Sequence, residues 1–111
     1  MTTFTYKEVT AHVRSERVRD RLNADVIESK LATAMPNTLY WAIRQFATFC
    51  TTVEIDSGEL PFVIPDATAD AKALTSAFDE WMDCDAALID AWQAAQVEAN
   101  TPKKTTEPAS D

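Results

Sequence analysis

DATADAKALTSAFDEWMDCDAALIDAWQAAQVEANT, Asp66 to Thr101, runs thirty-six residues without a proline or glycine. At about 100° per residue, Leu74, Phe78, Trp81, Met82, Leu88, Ile89 and Trp92 all fall on one stripe. An apolar stripe of that length must be buried against something. Asp85 falls in the middle of it, where an ionised carboxylate would lose its hydration without a partner. A break at Asp83-Cys84-Asp85 removes the conflict, because either aspartate can then cap the next helix. The stretch therefore predicts two helices, the second from about Ala86 to Ala99, with one bent helix as the alternative.

Upstream, Leu39, Tyr40, Trp41, Ile43, Phe46, Phe49 and Cys50 occupy more than half the circumference of a helix running from Thr38 to about Thr52, so this helix is expected at the centre. Before it, Val18, Leu22, Val26 or Ile27, and Leu31 step by three or four. They predict a first helix with Ser15 as its cap, ending near Thr33 ahead of Met35-Pro36. Thr3 to Val13 alternates, but its phase slips between Tyr6 and Val9, as in a strand with a bulge or turn at Lys7-Glu8. Asp56-Ser57-Gly58 is a turn signal, and prolines 61 and 65 keep Leu60 to Pro65 extended. Val53–Ile55 and Phe62–Ile64 then either pair as a short β-hairpin around residues 53–64 or form an ordered loop. The expected fold is mainly α, a small bundle of about four helices with an N-terminal strand-like segment. Residues 1–100 form its single helical domain, and 101–111, with no apolar residue larger than Ala109, are expected to be a disordered acidic and polar tail.

The chain of 111 residues allows one core and no second domain. Residues 1–50 carry a net charge of +2 and residues 51–111 a net charge of −10, giving −8 overall. An acidic chain is repelled by phosphate backbones, which argues against nucleic acid as a partner. Gly58 is the one glycine, which excludes the multi-glycine cradles of nucleotide enzymes. His12 has no second ligand within a turn, so no metal site is expected. Cys50 and Cys84 lie in apolar helical segments and read as reduced core thiols. No segment has the length of apolar sequence that a signal peptide or a membrane span needs, so the expected location is the cytoplasm.

Three features carry candidate chemistry. The carboxylates of Asp79, Glu80, Asp83, Asp85 and Asp90 crowd one junction but mostly flank the apolar stripe, as solvated faces and caps do. Arg14, Arg17, Arg19 and Arg21 form a basic patch, with Glu16, Asp20 and Asp25 at pairing distance along the chain. The aromatic set is larger than four short helices readily enclose, and leftover apolar surface favours a partner helix or self-association. Tyr40, Trp41 and Trp92 are the candidate partner-binding residues; the alternative is that all three are internal. No catalytic residue and no cofactor is expected.

The order of segments, TYKEVTAHVRSERVRDRL (residues 5–22), then YWAIRQFATFCTTVEIDSGELPFVIP (residues 40–65), then AFDEWMDCDAALIDAWQAAQVEAN (residues 77–100), resembles small tail-assembly chaperones and related tail-region proteins of long-tailed phages. The resemblance implies a non-enzymatic protein in the host cytoplasm that coats the hydrophobic tape-measure protein while the tail tube grows. The partners it implies are the tape-measure protein and other tail components, with neither nucleic acid nor membrane. The alternatives are a structural or adaptor component of the particle and an acidic, nucleic-acid-mimicking antagonist of a basic protein.

Overall fold

The N-terminal alternation folds as a complete hairpin. In the computed structural model, which describes residues 2–38 and 40–101, β1 (Thr2–Tyr6) and β2 (Val9–Val13) are antiparallel and joined by Lys7-Glu8. Lys7 takes the left-handed conformation, φ 54°, as a two-residue hairpin turn demands. That reversal is the phase slip visible in the sequence: Phe4 and Tyr6 on one strand, and Val9, Ala11 and Val13 on the other, all reach the same buried face.

Helices α1 (Val18–Ala34) and α2 (Tyr40–Thr52) follow, and α2 passes directly into β3 (Val53–Ser57). β3 pairs antiparallel with β2, matching Val53 to Val13 and Glu54 to His12, with a bulge where Thr10 meets Ser57. The sheet order is β1-β2-β3. Helices α3 (Ala71–Met82) and α4 (Ala86–Asn100) complete the fold, with α4 packed against β1.

The expectation of a mainly α bundle is therefore corrected. Four helices account for 58% of the described residues and a three-stranded sheet for 15%, which makes the described fold a mixed α/β globule. Of the two readings of 53–64, the short hairpin does not form, because β3 pairs with β2 instead. Pro61 and Pro65 deprive the second segment of ladder donors, β2 offers β3 a full partner, and Phe62 turns inward to meet Phe49 with ring centroids 6.4 Å apart.

The two-helix reading of residues 66–101 agrees with the structure, but Asp85 serves otherwise than by capping. It occupies the N-cap of α4 without a side-chain cap bond, and its carboxylate lies 3.4 Å from Lys7 Nζ at the hairpin turn. Asp70 does cap α3, its carboxylate accepting from the Ala73 amide at 2.8 Å. Ser15 does not cap α1; Arg17 holds that position, and the Asp20 carboxylate accepts the Arg17 amide at 3.0 Å.

The core is an aromatic stack beneath the sheet. Phe46 meets Phe78 and Trp81 edge-on at 5.2 and 5.5 Å, and Phe49 meets Trp92 edge-on at 5.5 Å. Each buried ring contributes roughly 1.5–3 kcal/mol through lost contact with water, so α2 is the central helix the sequence predicts. The tail expected at 101–111 lies, beyond Thr101, outside the described residues.

Candidate partner-binding surface

α1 carries two apolar stripes, and only one is buried. Ala24, Ile27 and Leu31 turn inward together with Asp20, whereas Val18, Leu22 and Val26 are 76, 60 and 42% exposed. At about 100° per residue, Val18 lies opposite Ile27 and Leu22 falls between Val18 and Val26, so the three form one outward ridge. Their four-residue steps span about 12 Å of helix. This divides the apolar pattern read from the sequence: Leu31 and the Ile27 alternative belong to the core, and the other three belong to the surface. The missed signal is Ala24, which completes the buried stripe without being large enough to stand out.

The exposed ridge sits on a helix held firmly on its other sides. Arg44 of α2 reaches Asp25 at 2.9 Å and Glu28 at 3.7 Å. The nearby Glu28 carboxylate raises the Tyr40 pKa above the ordinary phenol value. Lys30 donates to the carbonyls of Ala67 and Ala69, both at 2.9 Å, and so ties α1 to the strand of chain that leads into α3. At the N-terminal end, Arg14 donates to Asp20 and to the Thr51 carbonyl and forms an ion pair with Glu54. One guanidinium thus joins β2, α1, α2 and β3.

Of the three residues singled out from sequence, two are on the surface. Tyr40 and Trp41 open α2 and are 65 and 63% exposed. Trp92 is internal, the alternative left open by the sequence: it is fully buried and meets the Phe49 ring edge-on at 5.5 Å. Structure thus brings Tyr40 and Trp41 onto the same helical hairpin as the Val18–Leu22–Val26 ridge and leaves Trp92 in the core.

The basic patch is also rearranged. Arg14 precedes α1 rather than lying on it, and Arg21 pairs with Glu16 at 3.1 Å. Arg17 and Arg19 make no ion pair with any described residue. Both flank the start of the exposed ridge.

No family model, curated protein or solved structure matches this chain.

The remaining candidates offer little convergent chemistry. His12 lies on the outer sheet face, its Nδ1 3.1 Å from Thr3 Oγ1 and its Nε2 3.6 Å from Asp56. Among the described residues, no three His, Cys, Asp or Glu side chains gather at metal-binding distance. Asp79, Glu80, Asp83, Asp85 and Asp90 are all exposed to water. Cys50 and Cys84 are free thiols, and burial pushes both above the ordinary thiol pKa, Cys50 strongly. A thiol held protonated is a poor nucleophile. No helix among the described residues is long and apolar enough to cross a membrane.

Proposed function

We propose that this protein is a non-enzymatic binding module whose α1–α2 hairpin shelters an apolar α-helix of a partner, as a tail-assembly chaperone does for a tape-measure protein during tail growth. The observation that carries the reading is the second, outward apolar stripe of α1. Three large aliphatic side chains aligned at four-residue steps stay outside the core formed by the described residues, 76, 60 and 42% exposed, and they match the ridge spacing by which one helix seats on another. Arg17 and Arg19, without ion partners of their own among the described residues, border that ridge and favour a helix flanked by Asp or Glu. Trp41 supplies an exposed indole on the neighbouring helix.

A contact of this size suits reversible coating. Burying each aliphatic side chain gains roughly 1.5–3 kcal/mol, and immobilising two proteins consumes much of that. Single contacts are then weak, and many copies along one long helix hold by repetition. The segment order that resembles phage tail chaperones supports the same reading.

Co-expression of the full chain with an apolar helical fragment of a tape-measure protein tests it. The fragment is expected to stay soluble and to co-purify with the wild-type chain, and to be lost with Leu22→Asp. A fragment that ignores the wild-type chain, or binds Leu22→Asp equally well, overturns the reading. A structural or adaptor component would also remain in purified particles, from which a chaperone is absent.

A further inference from the structure

A second surface lies along β3. β3 is an edge strand, paired with β2 on one side only. The Arg14 amide donates to the Thr52 carbonyl at 3.0 Å and His12 stands opposite Glu54. Antiparallel alternation therefore turns the amide and carbonyl of Ile55 away from β2. A row of unpaired peptide groups on an edge is a template for another strand.

Beside that edge runs a groove of about 650 Å³ between β3 and the segment 58–66, lined also by Cys50 of α2. Its lining is mostly apolar, including Ile55, Phe62, Val63 and Ile64, and its charged members are Glu59 and Asp66, with no Lys or Arg. Val63 is 87% exposed, the most exposed large aliphatic residue among those described. On the opposite face of the same strand stand Glu54, which shares the Arg14 guanidinium with Asp20, and Asp56, 3.6 Å from His12 Nε2, so carboxylates outnumber the cation there.

We infer that this edge and groove bind an extended segment of a partner chain in which apolar residues alternate with Lys or Arg. The backbone of Ile55 hydrogen-bonds the added strand, its apolar side chains enter the groove on the Ile55 side of the sheet, and its basic side chains face Glu54 and Asp56. This is strand addition with alternate side chains read by a groove. Charge selects the occupant. A second copy of this chain would line up Glu54 and Asp56 against their own counterparts, a like-charge arrangement that destabilises paired strands.

The test is an NMR titration of the full ¹⁵N-labelled chain with the capped hexapeptide (Lys-Val)₃. Saturable shifts are expected at Ile55 and Val63, and hydrogen exchange of the Ile55 amide is expected to slow about tenfold as its carbonyl and amide become paired. The counterpart (Glu-Val)₃ is expected to leave both signals unmoved, and N-methylation of the valines, whose amides face β3, is expected to abolish binding. Val63→Ser, at a site too exposed to matter for folding, is expected to weaken binding about tenfold. Absence of shifts at millimolar peptide, an equal response to the N-methylated peptide, or shifts scattered over the acidic surface without Ile55 overturns the inference. So does a dimer in sedimentation whose association is lost in Val63→Ser, since that outcome gives the groove to a second copy.

Discussion

Val18 and Ile27 stand on opposite sides of α1, nine residues and about 180° apart; one is 76% exposed and the other fully enclosed. A helix with a single task hides its large aliphatic side chains along one stripe and shows polar residues elsewhere. α1 shows a second aliphatic stripe to water instead, and the functional account rests on it.

The two stripes are expected to respond oppositely to substitution. Ile27→Ala removes side-chain volume from a closed core and is expected to cost about 2–5 kcal/mol. Leu22→Ala, at an exposed helical site, is expected to change stability by no more than about 0.5 kcal/mol. Chemical denaturation of both variants checks the pair; equal losses would place Leu22 in the core.

Tryptophan fluorescence separates the three indoles. Trp81 and Trp92 are buried while Trp41 is 63% exposed, so acrylamide is expected to quench one component readily and to leave a blue-shifted remainder. Trp41→Phe is expected to remove the quenchable component with little change in stability. Trp92→Ala is expected to destabilise by about 3–5 kcal/mol.

Gly58 is fixed by its surroundings. Its φ is +83°, and a Cβ there would stand 2.6 Å from the Glu8 carbonyl oxygen and 2.9 Å from Val9 Cα. Both contacts are with backbone, which cannot swing aside. Gly58→Ala is therefore expected to lose more than about 1 kcal/mol in thermal or chemical unfolding, a loss absent for Ser57→Ala.

One carboxylate reports the loop that precedes α3. The Thr68 hydroxyl and amide both bond to Asp66 and hold its pKa below the ordinary aspartate value, the hydroxyl bond contributing most. A depressed carboxylate stabilises the fold above its unfolded-state pKa, and that contribution fades as the pH falls through the folded value. In an NMR titration Asp66 is expected to protonate below the value in an unstructured peptide, and Thr68→Val to bring it back up. An unchanged midpoint in Thr68→Val would remove the hydroxyl as the cause.

Much of the helical layout is legible in the sequence because it is local. The missing glycines and prolines, the misplaced Asp85 and the Met35-Pro36 stop each act within a few residues of the boundary they set. The sheet is less legible because it is not local: β3 reaches β2 across the whole of α1 and α2, and nothing in VEIDS names its partner. The nearby Phe62-Val63-Ile64 is the more obvious mate by proximity, and only the donors lost at Pro61 and Pro65 argue against it.

The candidate surface divides in the same way. Tyr40 and Trp41 are exposed because α2 already fills its inner face with Phe46 and Phe49. Trp92 lies on the stripe that the 66–101 segment must bury, and its own periodicity argues for the core. The ridge on α1 is concealed because Val26 and Ile27 are adjacent and each continues a plausible stripe. Only packing shows which one the core accepts.

The most direct test of the account is to map where a tape-measure fragment touches the full ¹⁵N-labelled chain, by following its amide signals as the unlabelled fragment is added. The account predicts shifts concentrated on Val18, Leu22 and Val26 and on the start of α2 at Trp41, abolished by Leu22→Asp in a variant whose remaining spectrum is unchanged. Shifts that bypass α1, or that persist in Leu22→Asp, would contradict it.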